Sequence, residues 1–312
     1  MALRIDGPTI DRVMDWTALV ARIEACHKLP QPEIGDTLLR VEPNAILVRT
    51  AWVRGLGVCV KAATVFPGNV APMPSIQGEV LLFDKDQGTL VASIDAVAET
   101  RWKTAGDSAL GSKLLSRPDS RHLLLVGAGT MSEPLIRAHL AVRPSIERVT
   151  IWNRTADRAR AVAARLGDLG RPVAVAADLG QAVAEADIVS CATMSSTPVL
   201  EGRWLKSGTH VDLIGAYRLD MREADDEVMR RGRIFVDFRG TTIGHIGEVT
   251  IPIQTGVIRE SDVLADLYDL AQGAPGRRSA DEITVYKNGG GAHLDLMTAR
   301  AIVEGAQARG IG

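Results

Sequence analysis

Cysteine is scarce: only Cys26, Cys59 and Cys191 occur in 312 residues, scattered and without a CxxC spacing. Only Cys26 has a histidine beside it, His27. That scarcity argues against a disulfide scaffold and a zinc site, and for a reducing compartment. An excess of charge is also missing. The formal net charge of −2 gives no support to a nucleic-acid or membrane-surface partner. No apolar run is long enough to span a bilayer, and the opening MALRIDGPTI lacks a secretory leader's basic and apolar blocks, so a cytoplasmic location is expected. One further absence is local. No carboxylate occurs between Glu42 and Glu79, although Arg49, Arg54 and Lys61 lie there.

What is present is the composition of a globular protein, 46% hydrophobic and 24% charged, at a length that accommodates two domains. Apolar residues at helical spacing over 9–28 predict a helix that Pro30 and Pro32 end. Short strand-like pieces follow up to about Phe83, then a helix over 93–115, which Pro118-Asp119 punctuates.

From His122 onward the texture becomes strand, helix, strand. Strands are predicted at 123–126, 149–152, 173–176, 188–192, 210–214 and 234–236, with helices over 134–142, 156–166 and 181–186. This alternation predicts an α/β fold with a Rossmann-type, doubly wound parallel sheet. A last helix, 294–307, lies beyond the pattern and is free to return to the first domain.

The run LLLVGAGTMSEPLIRAH puts Gly127 and Gly129 between a strand and a helix, at the opening of the βαβ series. There glycines let the backbone approach a pyrophosphate at a helix N-terminus. A bare strand-to-helix turn is the alternative, since Ser132 stands where a third glycine is usual. Thr130 and Met131 in this turn, and Thr193 after the fourth strand, join the candidate cofactor-binding residues. The second strand ends in Asn153-Arg154-Thr155, with no acid to accept from a ribose 2′-hydroxyl. Arg154 offers a guanidinium fork to a 2′-phosphate, which favours NADP(H) and leaves NAD(H) possible.

The first domain carries cations on apolar elements: Arg40, Arg49, Lys61 and Lys103. Lys61 shares its strand face with Cys59, Ala63 and Val65, none of which satisfies an ammonium. It is either a snorkelling lysine near a sheet edge or one kept charged by a bound anion. Several such cations on one site would suit an anionic substrate; pairing with acids elsewhere in the chain is the alternative. His122, His210 and His245 have no partnering acid at a catalytic spacing and are read as structural.

GVCVKAATVFPGN, PMPSIQGEVLLFD, KTAGDSALGSKLLSRPDSRHLLLVGAGT and IWNRT together resemble the ornithine cyclodeaminase/mu-crystallin family over essentially the whole chain. The resemblance implies a homodimer, with an α+β substrate-binding and dimerisation domain over 1–118 and 293–312, a Rossmann domain over 119–292, and a cleft between them. It makes Lys61 the lysine of the substrate carboxylate and Arg40 the first arginine. It places Ser75 where a pocket threonine is usual, and Lys103 where a second carboxylate-binding arginine is usual. Tyr217 stands in place of the aspartate that cyclodeaminases use for the distal amine. Arg49 replaces an apolar pocket residue.

These implications describe an NAD(P)H-dependent imino-acid reductase whose partner is a small imino or amino acid. Arg49 points to an open-chain dicarboxylic imine such as iminosuccinate, giving aspartate. Reduction of the cyclic ketimine Δ1-pyrroline-2-carboxylate to proline is the second reading. An NAD-dependent cyclodeaminase and a mu-crystallin-like NADPH-binding protein follow.

Overall fold

A short strand, β1 (Leu3–Ile5), and two helices, α1 (Gly7–Val13) and α2 (Trp16–Cys26), open the chain. The apolar spacing over 9–28 predicts one helix, but Asp15 divides it. Its backbone is extended and its carboxylate accepts from the Ala18 N–H at 2.9 Å, which caps α2. Strands β2 (Glu33–Val41), β3 (Asn44–Val53), β4 (Gly57–Val65), β5 (Ile76–Phe83) and β6 (Leu90–Asp95) then build a sheet, followed by helix α3 (Ala96–Leu115). The sheet order is β1-β6-β5-β4-β3-β2, with β1 parallel to β6 and every other pair antiparallel.

The next stretch alternates as expected: β7 (His122–Val126), α4 (Ser132–Val142), β8 (Arg148–Trp152), α5 (Ala156–Arg165), β9 (Val173–Val175), α6 (Leu179–Glu185) and β10 (Ile188–Cys191). Strand β11 (His210–Leu213), helix α7 (Asp226–Arg231), strand β12 (Gly232–Val236) and helices α8 (Arg239–Thr242) and α9 (Gly247–Gln254) come next. Then follow β13 (Val263–Asp266), α10 (Leu267–Ala271), β14 (Ile283–Lys287) and α11 (Ala292–Ala308). Their sheet is parallel throughout, ordered β13-β12-β14-β11-β10-β7-β8-β9. All five residues of β7, HLLLV, are buried, as a strand covered on both faces requires. Strand β14 is inserted between β12 and β11, which the sequence does not foretell.

This computed structural model describes residues 2–311. Its contacts divide into two compact units, Met1–Lys103 with Gly291–Gly312, and Thr104–Gly290. The division falls inside α3, whereas the resemblance implies a boundary at 118/119. The first unit therefore includes α11, which packs on α2, β3 and β4. One face of its sheet is closed by this packing: Ala51, Val53, Cys59, Val80, Leu82 and Ile94 are all buried there. The opposite face keeps Leu39, Val41 and Trp52 exposed, Trp52 to 62%. No helix is long and apolar enough to cross a membrane among the described residues.

Candidate active site

Antiparallel register brings the first group of candidate residues together. Asp36 on β2, Arg49 on β3 and Lys61 on β4 lie directly across from one another, so their side chains leave the same face. That face is the one covered by α11. Lys61 Nζ lies 2.7 Å from Glu99 Oε2, 2.5 Å from Thr100 Oγ1 and 3.0 Å from Asp295 Oδ1. Glu99 and Thr100 come from the first turn of α3, and Asp295 from the first turn of α11. Lys103, one turn on from Glu99, places its Nζ 3.1 Å from the same Asp295 oxygen. Arg49 reaches Asp295 Oδ2 with Nη1 at 4.0 Å and Asp36 Oδ2 with Nε at 3.1 Å.

The expectation that Arg49 and Lys61 lack acidic partners is thereby corrected. The interval around them is free of carboxylates, but two helices more distant in sequence deliver Glu99 and Asp295 onto the sheet. Pairing with acids elsewhere in the chain is the reading that holds. Among the described residues the cluster sets three cations, Arg49, Lys61 and Lys103, against two fully buried carboxylates. Asp36, 3.1 Å from Arg49, adds a third and less buried carboxylate, so cations and carboxylates are equal in number.

Burial and charge compete at every member. Burial works against the Lys61 ammonium, yet Asp295 and Glu99 outweigh it and raise its pKa. Burial pushes Glu99 up to about 7; Asp295 adds to this, and Lys61 and Lys103 oppose it. Asp295 is driven the other way. Despite its burial, Lys103, Lys61 and Arg49 hold its carboxyl below the usual range. Lys103 is lowered, by burial first and by Lys61 and Arg49 next.

Arg40 and Ser75 are placed apart from this cluster. Arg40 is exposed on the same sheet face, four residues along β2 from Asp36, or ~13 Å at strand rise. Ser75 is exposed before β5, where its carbonyl accepts from the Phe66 N–H at 2.7 Å. Sequence reasoning missed Glu99 and Asp295. A signal existed: Glu99 stands four residues before Lys103 on one helix, and Asp295 is a lone acid between Leu294 and Leu296.

In the second unit, the turn after β7 has the shape a dinucleotide requires. Gly127 has φ +124°, and a Cβ there would meet the Ala192 carbonyl at 2.6 Å. A Cβ on Gly129 would point into open space, the side from which a phosphate could approach. No side chain caps α4; in its first turn the Ser132 N–H donates to the Gly129 carbonyl at 3.2 Å and Pro134 has no N–H. Thr130 is exposed and Met131 is the N-cap residue. Buried Ser132 fits in place of a third glycine by donating to the Gly127 carbonyl at 3.4 Å. After β8, Asn153 donates to the Thr155 carbonyl at 2.9 Å, and the Arg154 side chain is exposed. These residues fit a nicotinamide dinucleotide.

Thr193, after β10, is tied to a residue the sequence did not single out. Glu223 Oε1 accepts from the Thr193 N–H at 2.6 Å and its hydroxyl at 2.8 Å, while Oε2 accepts from the Gly215 N–H at 2.5 Å. Glu248 in turn accepts from the N–H groups of Glu223 and Ala224 at 2.7 and 3.0 Å. Burial, then Glu248, pushes Glu223 up to about 8 against the pull of Lys287. Tyr217 lies exposed in the same loop as Gly215, under the guanidinium of Arg218 at 5.4 Å.

A profile of the ornithine cyclodeaminase/mu-crystallin family matches residues 50–310. A Δ1-pyrroline-2-carboxylate reductase of Paracoccus denitrificans is 52% identical over 291 residues, 93% of this chain and 92% of that protein. Among solved structures, a Thermococcus litoralis Δ1-pyrroline-2-carboxylate reductase in complex with NADH and L-proline superposes with a TM-score of 0.91. It is 26% identical, with 99% of each chain covered. The iminosuccinate reductase of Paracoccus denitrificans in complex with NAD+ gives a TM-score of 0.90 at 28% identity, covering 99% of this chain and 98% of that one.

Proposed function

The chain belongs to the ornithine cyclodeaminase/mu-crystallin family, and from that premise we propose that it reduces the cyclic ketimine Δ1-pyrroline-2-carboxylate to proline. It is a nicotinamide-dependent oxidoreductase acting on C=N bonds. The observation that carries the choice of substrate is that Arg49, the residue that would take a second carboxylate, is already paired with Asp36 at 3.1 Å. The preference for iminosuccinate depended on an Arg49 without local acids. With Asp36 and Asp295 beside it, Arg49 no longer calls for a second carboxylate. The 52% identical relative named for this reaction supports the same reading.

In this reading Lys61 and Lys103 hold the substrate carboxylate. Asp295 and Glu99 keep the ammonium groups charged and aimed, and Thr100 fixes Lys61 by accepting from Nζ while donating to the Ala96 carbonyl at 2.6 Å. Fixing one end of a small rigid imine restricts where its carbon can lie, and such positioning can lower a barrier by several kcal/mol. NAD(P)H, when bound, supplies the hydride that the imine carbon takes, and the nitrogen ends with a proton. Gly127, Gly129, Thr130, Met131, Asn153, Thr155 and Thr193 are the residues that would hold the coenzyme. Arg154, exposed and with no acid at the end of β8, supports a preference for NADP(H) over NAD(H). Tyr217, where a carboxylate would be needed for a diamine, supports reduction over cyclodeamination.

We assign the subunit contact to the uncovered sheet face bearing Leu39, Val41 and Trp52, which a second copy of this chain would bury as a homodimer. An open-chain dicarboxylic imine is the second reading, favoured by the alignment of Arg49 with Lys61 on one rung. A panel of imino acids assayed with NADH and NADPH in parallel tests both. Steady coenzyme consumption with Δ1-pyrroline-2-carboxylate and little with iminosuccinate is expected; the reverse order overturns the proposal.

A further inference from the structure

The strand order of the second unit reverses between β7 and β10, so the crevice for a dinucleotide opens at the carboxyl ends of these strands. The half built from β7, β8 and β9 carries the glycine turn. The half that begins with β10 and β11 receives the second nucleotide, which is the nicotinamide end. Two loops form its rim, one after β10 with Thr193 and one after β11 with Gly215. They approach each other unusually closely. A Cβ on Gly215 would stand 1.7 Å from the Thr193 carbonyl oxygen, and one on Gly127 would stand 2.6 Å from the carbonyl of Ala192. The glycine turn and both loops are thus in direct contact.

Glu223 is the group that fastens the two loops together. It is fully buried, and its two oxygens are divided between them: Oε1 takes both donors of Thr193, Oε2 takes the Gly215 N–H. Its carbonyl accepts from the N–H groups of Val199 and Leu200 at 2.8 and 2.9 Å, which anchors the far end of the loop after β10. Its own N–H is held by Glu248, on α9. No step of the reduction uses this carboxylate. We propose that Glu223 is a positioning residue for the nicotinamide end of the coenzyme, acting through the backbone of Thr193 and Gly215. The inference rests on the reading of this unit as a nicotinamide-nucleotide site and goes beyond it by naming what sets the rim's geometry.

The chemistry of the bridge supplies its own probe. A backbone N–H can only donate, so each oxygen must accept, and Glu223→Gln keeps the shape but offers one acceptor and one NH2. One of the loops must let go. In the free protein, E223Q should speed amide hydrogen exchange at Thr193 and Gly215 at least tenfold and leave the turn at 127–131 unchanged. Affinity for NADH and NADPH should fall about tenfold, while ADP-ribose, which lacks the nicotinamide, binds within about twofold of wild type. A misplacement near 1 Å costs about a hundredfold in rate, so kcat should fall ten- to a hundredfold.

Gly215→Ala pushes the same loops apart from the other side and should reproduce this signature, which covers the case in which E223Q does not fold. Equal losses for ADP-ribose and NADH, or unchanged exchange at Thr193 and Gly215 in a folded variant, would show Glu223 to be merely structural. If wild type binds NADH but reduces no imino acid, the functional proposal fails and the NADH to ADP-ribose ratio still judges Glu223. Absence of any nicotinamide-nucleotide binding by wild type overturns both.

Discussion

The carboxylate of Asp295 lies 3.0 Å from the ammonium of Lys61, although 234 residues separate them. A lysine that looks stranded in an apolar strand is thus the centre of a buried ionic cluster. Its partners are acids delivered by two helices. As the proposed anion site it differs from a set of waiting, unpaired cations: the internal carboxylates already fix the geometry of the lysines.

Removing Lys61 should damage binding far more than coenzyme affinity. Truncating one partner of a desolvated charge pair costs about 2–5 kcal/mol, so Lys61→Ala should lower kcat/KM by roughly 30- to several-thousand-fold. The dissociation constant for NAD(P)H should stay unchanged, because Lys61 belongs to the other unit. Steady-state kinetics with a coenzyme titration checks both numbers. Wild-type activity in K61A would make Lys61 purely structural.

Arg49→Met separates the two substrate readings. Activity on Δ1-pyrroline-2-carboxylate should stay within about fivefold, since Arg49 is the most distant of the three cations from Asp295 and truncating so remote a partner costs about 1 kcal/mol or less. Any activity on iminosuccinate should disappear. A collapse on both substrates would place Arg49 directly on the shared carboxylate.

Glu99 gives the site a pH dependence. Its pKa is near 7, raised by burial and by Asp295. Below that value it is neutral and the cluster carries a surplus positive charge; above it the carboxylate competes with the substrate's. KM for the imino acid should therefore rise as pH increases through about 7, by about tenfold, the effect of roughly one pKa unit of interaction. Glu99→Gln should flatten the profile at its low-pH value. A profile in E99Q identical to wild type would remove Glu99 from substrate binding.

Arg154→Ala should raise KM for NADPH about tenfold or more, the effect of losing a charge-assisted hydrogen bond, and leave KM for NADH within about twofold. Parallel titrations with the two coenzymes measure this. Equal effects on both would show that Arg154 does not read the 2′-phosphate.

The uncovered sheet face makes a claim about assembly. Trp52→Glu puts a charge on the proposed contact and should convert a dimer into a folded monomer, as measured by light scattering across a sizing column. A monomeric wild type, or a dimer that survives W52E, would move the contact elsewhere.

The alternation of short apolar strands with helices made the parallel sheet legible, because strands buried on both faces are nearly continuous hydrophobic runs. Strand β14 escaped because ITVYK ends in Tyr286 and Lys287, whose polar groups look solvent-bound until Asp107 and the Leu213 carbonyl accept from them at 2.6 and 2.9 Å. The break at Asp15 was hidden by apolar spacing that continues through it. Lys61 and Lys103 stood out as charges on apolar elements, and these two meet on Asp295. Their acids did not stand out, since a carboxylate in the first turn of a helix is unremarkable in sequence. Which acid meets which lysine is a matter of tertiary contact.

Because Asp295 arrives on α11, the lysine cluster has a schedule. A nascent chain that has emerged through Lys103 carries the strands of the first sheet but no counter-ion from α11. Translation of the intervening residues 104–290 takes roughly 10–40 s at ordinary elongation rates. Through that interval Lys61 has Glu99 and Thr100 within reach but not Asp295. The cluster is therefore among the last parts of the molecule to mature, and a polypeptide stalled before α11 would leave the ribosome with a Rossmann unit and a Lys61 that has yet to meet Asp295.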